Sequence, residues 1–243
     1  MNEKIEQLKV KVFFDSADKA ELLEIRHNPW IKGITTNPTL MRKEGVVDFS
    51  AFAREILAFI PDKPVSFGVF SDDFAEMEQQ ALRIAAFGEH VYVKIPITNT
   101  RGEPSFPLIK KLVAQNIKLN ITAVMTLEQV RAVSLALSPV VPSYVSVFAG
   151  RIADTGQDPL PLMQAALDMI KINPLSELIW ASPRELFNIF QADSIGCHII
   201  TVTKDILKKR VLVGYDLEDY SLETVKMFHN DAMAAGFKLA FQE

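Results

Sequence analysis

Apolar positions along the chain fall into two alternating patterns. Short, nearly continuous apolar runs occur at Val10-Val12-Phe13-Phe14, Ile31 with Gly33-Ile34, Val65 to Phe70, Val91 to Ile97, Ile117 to Ile121, Tyr144 to Phe148, Leu178 to Ala181 and His198 to Val202. Between them lie segments whose apolar residues recur every three or four positions, among them Ala20-Leu22-Leu23-Ile25, Phe49-Phe52-Ile56-Phe59-Ile60 and Phe74-Met77-Ala81-Leu82-Ile84. Pro107 to Ala114, Leu127 to Leu137, Leu160 to Ile172 and Arg184 to Phe190 continue the pattern, and a last segment starts near Asp205. The first pattern is that of strands buried on both faces, the second that of amphipathic helices. Eight such strand-helix pairs call for a parallel sheet covered by helices.

The chain has 243 residues, close to the roughly 250 of a closed (β/α)₈ barrel and short for two full domains. Neither a dinucleotide-type nor a P-loop glycine turn follows the first strand, which counts against an open doubly wound sheet. The expected fold is therefore α/β: a single-domain (β/α)₈ TIM barrel over residues 1–243, with an additional C-terminal helical extension at about 217–243. Tyr220, Phe228, Phe237 and Phe241 in that tail would cap the barrel or reach a neighbouring subunit.

Composition narrows the class. Hydrophobic residues make up 49% and charged residues 23%, a balance that supports a large core without disulfides or metals. A net charge of -4 argues against a surface built for nucleic acid or anionic lipid, so any anion recognition must be local. Cys197 is the only cysteine and the four histidines are scattered, which excludes an internal disulfide and gives no metal-ligand spacing. Neither a signal-peptide core in Met1 to Lys11 nor a long apolar span is visible, and the expected location is cytoplasmic.

In a barrel of this kind the active site forms at the C-terminal ends of the strands, and those ends are polar here. Lys94 stands within Val91-Tyr92-Val93-Lys94-Ile95-Pro96-Ile97. A desolvated ammonium there would lose its proton more readily and become a nucleophilic amine; the plain alternative is a lysine reaching to solvent. Asp15 ends the first strand. Asp18 is available to cap the helix that follows, which frees Asp15 for acid/base work. Asn37 in Thr35-Thr36-Asn37-Pro38 also suits a simple turn, and Arg151 suits either a surface ion pair or a phosphate. Cys197-His198 is not a thiol-base pair, since neighbours on a strand face opposite ways. Lys204, Lys208, Lys209 and Arg210 read as a solvated helix surface.

Together, Phe14-Asp15-Ser16-Ala17-Asp18, Gly33-Ile34-Thr35-Thr36-Asn37-Pro38-Thr39-Leu40, Val93-Lys94-Ile95-Pro96, Asn120-Ile121-Thr122-Ala123, Ser146-Val147-Phe148-Ala149-Gly150-Arg151-Ile152 and Ala181-Ser182-Pro183-Arg184 resemble transaldolases and the similar fructose-6-phosphate aldolases. The resemblance implies Lys94 as the Schiff-base lysine, Asp15 as the acid/base for the C4 hydroxyl, and Thr122 as a holder of the catalytic water. It implies Asn37, Asn120 and Ser146 as hydroxyl ligands, with Arg151, Ser182 and Arg184 on the phosphate. It further implies a sugar-phosphate substrate, no cofactor and a homo-oligomer, commonly a ring that reaches a decamer in related enzymes. Phe148 stands where the resembling aldolases carry a tyrosine, which favours transfer of the dihydroxyacetone unit over its release.

The chain departs from that pattern on the third strand, where the family's usual Glu or Gln is replaced by Gly68. Three activities therefore stay open: transfer between sugar phosphates, cleavage of fructose 6-phosphate or a variant anionic ketose, and binding of a sugar phosphate without chemistry.

Overall fold

The computed structural model describes residues 5 and 7–239. Eight parallel strands pair in chain order and close on themselves, β1 returning to β8. They are β1 (Lys11–Asp15), β2 (Ile31–Thr35), β3 (Val65–Gly68), β4 (Val91–Pro96), β5 (Leu119–Val124), β6 (Ser143–Val147), β7 (Ser176–Trp180) and β8 (Ile199–Val202). The connecting helices are α1 (Lys19–Ile25), α2 (Pro38–Lys43), α3 (Phe49–Phe59), α4 (Phe74–Ala85), α5 (Phe106–Val113), α6 (Leu127–Ala136), α7 (Ala149–Asp154), α8 (Pro159–Ile170), α9 (Phe187–Ser194) and α10 (Lys204–Lys208). The expected (β/α)₈ barrel is the fold.

Two apolar layers hold it. Because successive strand residues face opposite ways, Val12 and Phe14 of β1 join the large cluster between sheet and helices. Phe13, between them, points inward with Tyr92, Tyr144, Ile179 and Ile199. Tyr92 stacks on Tyr144 at 4.0 Å, and Phe13 meets Tyr144 edge-on at 5.6 Å. Gly33 makes this possible, since a Cβ there would lie 2.5 Å from the Phe13 ring. The rings close the floor of the barrel beneath the polar level formed by Asp15, Lys94, Asn120 and Ser146.

Local signals place the elements. The Asp18 side chain accepts from the backbone N–H groups of Ala20 and Glu21 and caps α1, as expected, and this leaves Asp15 out of the cap. Thr126 and Gln129 form a reciprocal capping box on α6. Several strand boundaries differ from the apolar runs, and two of them have a local cause. Strand β3 stops at Gly68 although the run continues to Phe70, where the backbone instead donates to Gln80 of α4. Strand β5 starts at Leu119, because Asn116 in left-handed geometry (φ 60°) and the Ile117 N–H bond to Leu112 close off α5 first.

The barrel, Leu8–Lys208, is one compact unit. A second unit, from Lys209 onward, contains a 3₁₀ turn (Lys209–Leu212) and α11 (Leu217–Ala235). Asp216 caps α11, and Gly236 ends it in left-handed geometry at φ 66°. No residue of α11 is buried; Leu217, Tyr220, Phe228 and, beyond its end, Phe237 are exposed. Phe241 of the aromatic tail lies outside the described residues. Among the described residues, no helix is long and apolar enough to cross a membrane.

Candidate active site

A cavity of about 310 Å³ opens at the C-terminal ends of the strands, lined by Asp15, Thr35, Asn37, Lys94, Ser146, Phe148, Arg151, Ser182 and Thr201 among others. A larger hollow of about 460 Å³ lies beside it against Met41, Val46, Val47, Phe49 and Phe70. Its lining carries Arg42 but no carboxylate, lysine or histidine, so the smaller cavity is the candidate site.

Lys94 projects inward two residues after Tyr92. Its Nζ donates to the Thr36 carbonyl at 3.1 Å. Burial pulls its pKa below that of free lysine, with the nearby Asp15 charge opposing the shift. Asp15 shows the mirror image: burial pushes its carboxyl upward, while the Lys94 charge and a hydrogen bond from Thr35 pull it back. An amine with a weakened hold on its proton therefore faces a carboxylate with a strengthened one, the arrangement expected of a nucleophile and its general base.

Asp15 is held asymmetrically. Thr35 Oγ1 donates to Oδ1 at 2.6 Å, whereas Asn37 Nδ2 approaches Oδ2 only at 3.4 Å. Asn37 does two jobs, because its Oδ1 accepts from the Leu40 N–H and caps α2. The turn reading of Asn37 is realised, and the same side chain also lines the cavity. Deeper in the barrel, Ser146 Oγ donates to Asn120 Oδ1 at 2.7 Å and Asn120 Nδ2 donates to Ser66 Oγ at 3.0 Å. Asn120 is fully buried, and this chain fixes its amide while Ser146 still reaches the cavity.

The opposite wall is built by close approach. Gly150 at the start of α7 lies so near the segment after β7 that a Cβ would fall 1.5 Å from the Ser182 carbonyl oxygen. Ser182 is itself left-handed, at φ 59°. The Arg151 guanidinium sits over the Phe148 ring at 5.4 Å and faces the cavity, which leaves its fork of donors able to meet an anion.

Three sequence-predicted residues stand apart from the cavity lining: Asn120, buried behind Ser146, and Thr122 and Arg184. Thr122 follows a register shift in β5, and its buried Oγ1 has no hydrogen-bond partner among the described residues. Arg184 is not brought to the cavity: its Nε donates to Asp154 Oδ1 at 2.9 Å and its Nη2 to Oδ2. This fork-to-carboxylate pairing with the last residue of α7 holds the Asp154 carboxyl below the usual range and engages the donors that a phosphate would need. At Gly68 the space is open. A Cβ there would sit in ordinary contact, 4.0 Å from Lys94 Cβ and Pro38 Cδ, and no other side chain fills it.

Sequence reasoning missed Thr35 and Thr201 as site residues, and Asp154 as the partner of Arg184. For Thr201 a signal existed. It is a hydroxyl within the apolar run Ile199-Ile200-Thr201-Val202, two residues beyond the inward-facing Ile199.

A closed parallel barrel with a buried lysine and a buried carboxylate lining one cavity at its C-terminal mouth is an arrangement that suits aldolase-type chemistry. The family comparison agrees and is more specific. The Transaldolase/Fructose-6-phosphate aldolase family profile matches residues 12–239, and the chain belongs to that family. A relative from Thermoanaerobacter sp. (strain X514), named "Probable transaldolase", is 32% identical over 231 residues, covering 95% of this chain and all of the relative. Relatives of the same name from Clostridium acetobutylicum and Methanococcus maripaludis are each 32% identical over 215 residues, 88% of this chain and 94% of theirs. Among solved structures, 2,3-dimethylmalate lyase of the PEP mutase/isocitrate lyase superfamily superposes with a TM-score of 0.54 at 11% identity, covering 99% of this chain and 89% of that one. At that identity the likeness is one of fold.

Proposed function

We propose that the protein is a transferase that moves a dihydroxyacetone unit from a ketose phosphate, such as fructose 6-phosphate or sedoheptulose 7-phosphate, to an aldose phosphate. The observation that carries the reading is the placing of buried Lys94 and Asp15 in one cavity at the strand ends, where burial disfavours the charged form of each. The Lys94 amine adds to the C2 carbonyl, water leaves, and a protonated imine forms. The Asp15 carboxylate takes the C4 hydroxyl proton, the C3–C4 bond breaks into the imine, and an aldehyde departs. The enamine left on Lys94 attacks the carbonyl carbon of the acceptor, Asp15 returns its proton to the new hydroxyl, and water releases the product.

Around that pair, Asn37 and Ser146 line the cavity as ligands for the sugar hydroxyls, with Asn120 buried behind Ser146. Arg151 and Ser182 lie at the far wall for the phosphate, whose binding orients the reacting end. Arg184 is left out of this set because Asp154 holds it. Phe148 supports transfer over simple cleavage, since its ring places no hydroxyl beside the enamine to assist its protonation.

Gly68 favours keeping a second reading, cleavage of a ketose with a different substituent near the carbonyl, because it leaves room beside Lys94. One experiment separates the readings: incubation with fructose 6-phosphate, reduction with borohydride and mapping of the adduct by mass spectrometry. A dihydroxyacetone-sized adduct on Lys94, absent in Lys94→Ala, is expected. Turnover should require an added aldehyde acceptor, and Asp15→Asn should slow it by roughly 10²–10⁴-fold. No adduct on Lys94 would remove the Schiff-base reading for this donor, and turnover without acceptor would replace transfer by cleavage.

A further inference from the structure

Asp15 needs one oxygen anchored and the other free if it is to take a proton at a defined place, and the anchoring group lies one residue further back than the contact itself. Thr35 Oγ1 is 2.6 Å from Asp15 Oδ1 and also 2.6 Å from Thr201 Oγ1. Both threonines are nearly excluded from solvent, Thr35 at 1% and Thr201 at 7% exposure. They reach Asp15 from its two neighbouring strands, β2 and β8.

A hydroxyl has one proton. While Asp15 is ionised, the Thr35 proton points at Oδ1, so the contact between the two threonines can be made in one sense only, with Thr201 donating to the Thr35 oxygen. We propose that Thr201 is a positioning residue for the Asp15 carboxylate, acting through the Thr35 hydroxyl so that Oδ1 is fixed and Oδ2 is left as the proton-accepting oxygen.

Donation from Thr201 polarises the Thr35 hydroxyl and strengthens its bond to Oδ1, an effect that a buried, water-poor setting increases. Among the described residues Oδ2 accepts only the long Asn37 contact at 3.4 Å, which leaves it able to meet a substrate hydroxyl. The charged groups that share the cavity with Asp15 are Lys94 from β4 and Arg151 from α7. The other polar side chains that face it, Thr35 from β2, Asn37 at the start of α2 and Thr201 from β8, carry no charge. The threonine chain is therefore a neutral device for holding Asp15 ionised, added to the Lys94 charge.

The inference rests on Asp15 as the acid/base, yet its test does not require turnover. Aspartate labelled with ¹³C at the carboxyl carbon, with Asp15→Asn for assignment, allows the Asp15 titration to be followed by NMR in the parent protein, T201V, T201A and T201S. The midpoint is expected to rise in T201V and T201A, which lose the hydroxyl, and to return toward the parent in T201S, which restores it. In the rate of ketose cleavage against pH, T201V should lose about tenfold in kcat/KM on the acid side, the scale of one buried hydrogen bond. The alkaline side should lose less. An unmoved Asp15 midpoint in T201V and T201A would overturn the proposal, as would a midpoint in T201S that stays with the hydroxyl-less variants. Borohydride trapping of dihydroxyacetone on the parent protein is read separately: its failure removes the Schiff-base reading and leaves the titration to decide the role of Thr201.

Discussion

Lys94 carries its charge at a cost to the fold, and the sign of that cost sets a measurable pH dependence. Its pKa in the folded protein lies below that of the unfolded chain, because burial disfavours the ammonium. The stabilising share of this shift is thus present above the unfolded value and is lost as pH falls through the folded one. The same displacement makes the free amine available at lower pH than an exposed lysine would allow. The rate of borohydride-trapped adduct formation with dihydroxyacetone should therefore rise through a midpoint below the free-lysine value of 10.5; a midpoint at or above it would contradict the desolvated amine. That Lys94 and Asp15 would share the mouth of the barrel was legible from the polar strand ends and the family resemblance, more than from the apolar run around Lys94, and Asp18 accounted for the cap. Arg184 was not, because spacing along the chain does not reveal that Asp154 competes for its donors. Thr201 escaped because a single threonine in a strand is usually only a strand former.

Elements position the site through two points of backbone tension. Ala123, directly after Thr122 in the irregular stretch of β5, and Ser182, just beyond Ala181 after the end of β7, are both non-glycine residues in left-handed geometry. Such conformations cost of order 1–3 kcal/mol and persist where the surroundings impose them, commonly beside functional groups. At Ser182 the imposing neighbour is the start of α7, which reaches its position only because Gly150 has no side chain. Gly150→Ala is expected to destabilise the protein by about 2–3 kcal/mol, the scale of overpacking against rigid backbone, and to weaken binding of the phosphate end. Equilibrium unfolding in urea followed by circular dichroism measures the first effect, and a change below about 0.5 kcal/mol, typical of an uninvolved surface position, would dismiss the contact. Strand positions were readable to within a few residues from their apolar runs. The irregularity in β5 and the close approach at Gly150 were not, since both arise from contacts between elements that are distant along the chain.

At the scale of the molecule, the eight alternating units and their closure followed from pattern and length, because parallel strands buried on both faces have few other arrangements. The orientation of the site followed as well, since strand ends rather than strand starts carried the polar residues. The floor of the barrel did not: Phe13, Tyr92 and Tyr144 read as strand residues, and only Gly33 reveals that a ring occupies the axis. That floor has a kinetic consequence for a transfer reaction. With the axis filled below Lys94, a departing aldehyde and an acceptor in the proposed reaction would use the same mouth in turn. Initial rates measured against donor at several acceptor concentrations should then give parallel double-reciprocal lines, as in a ping-pong exchange. Intersecting lines would mean that both sugars fit above Lys94 together, and that the ring-filled floor does not enforce the order of traffic.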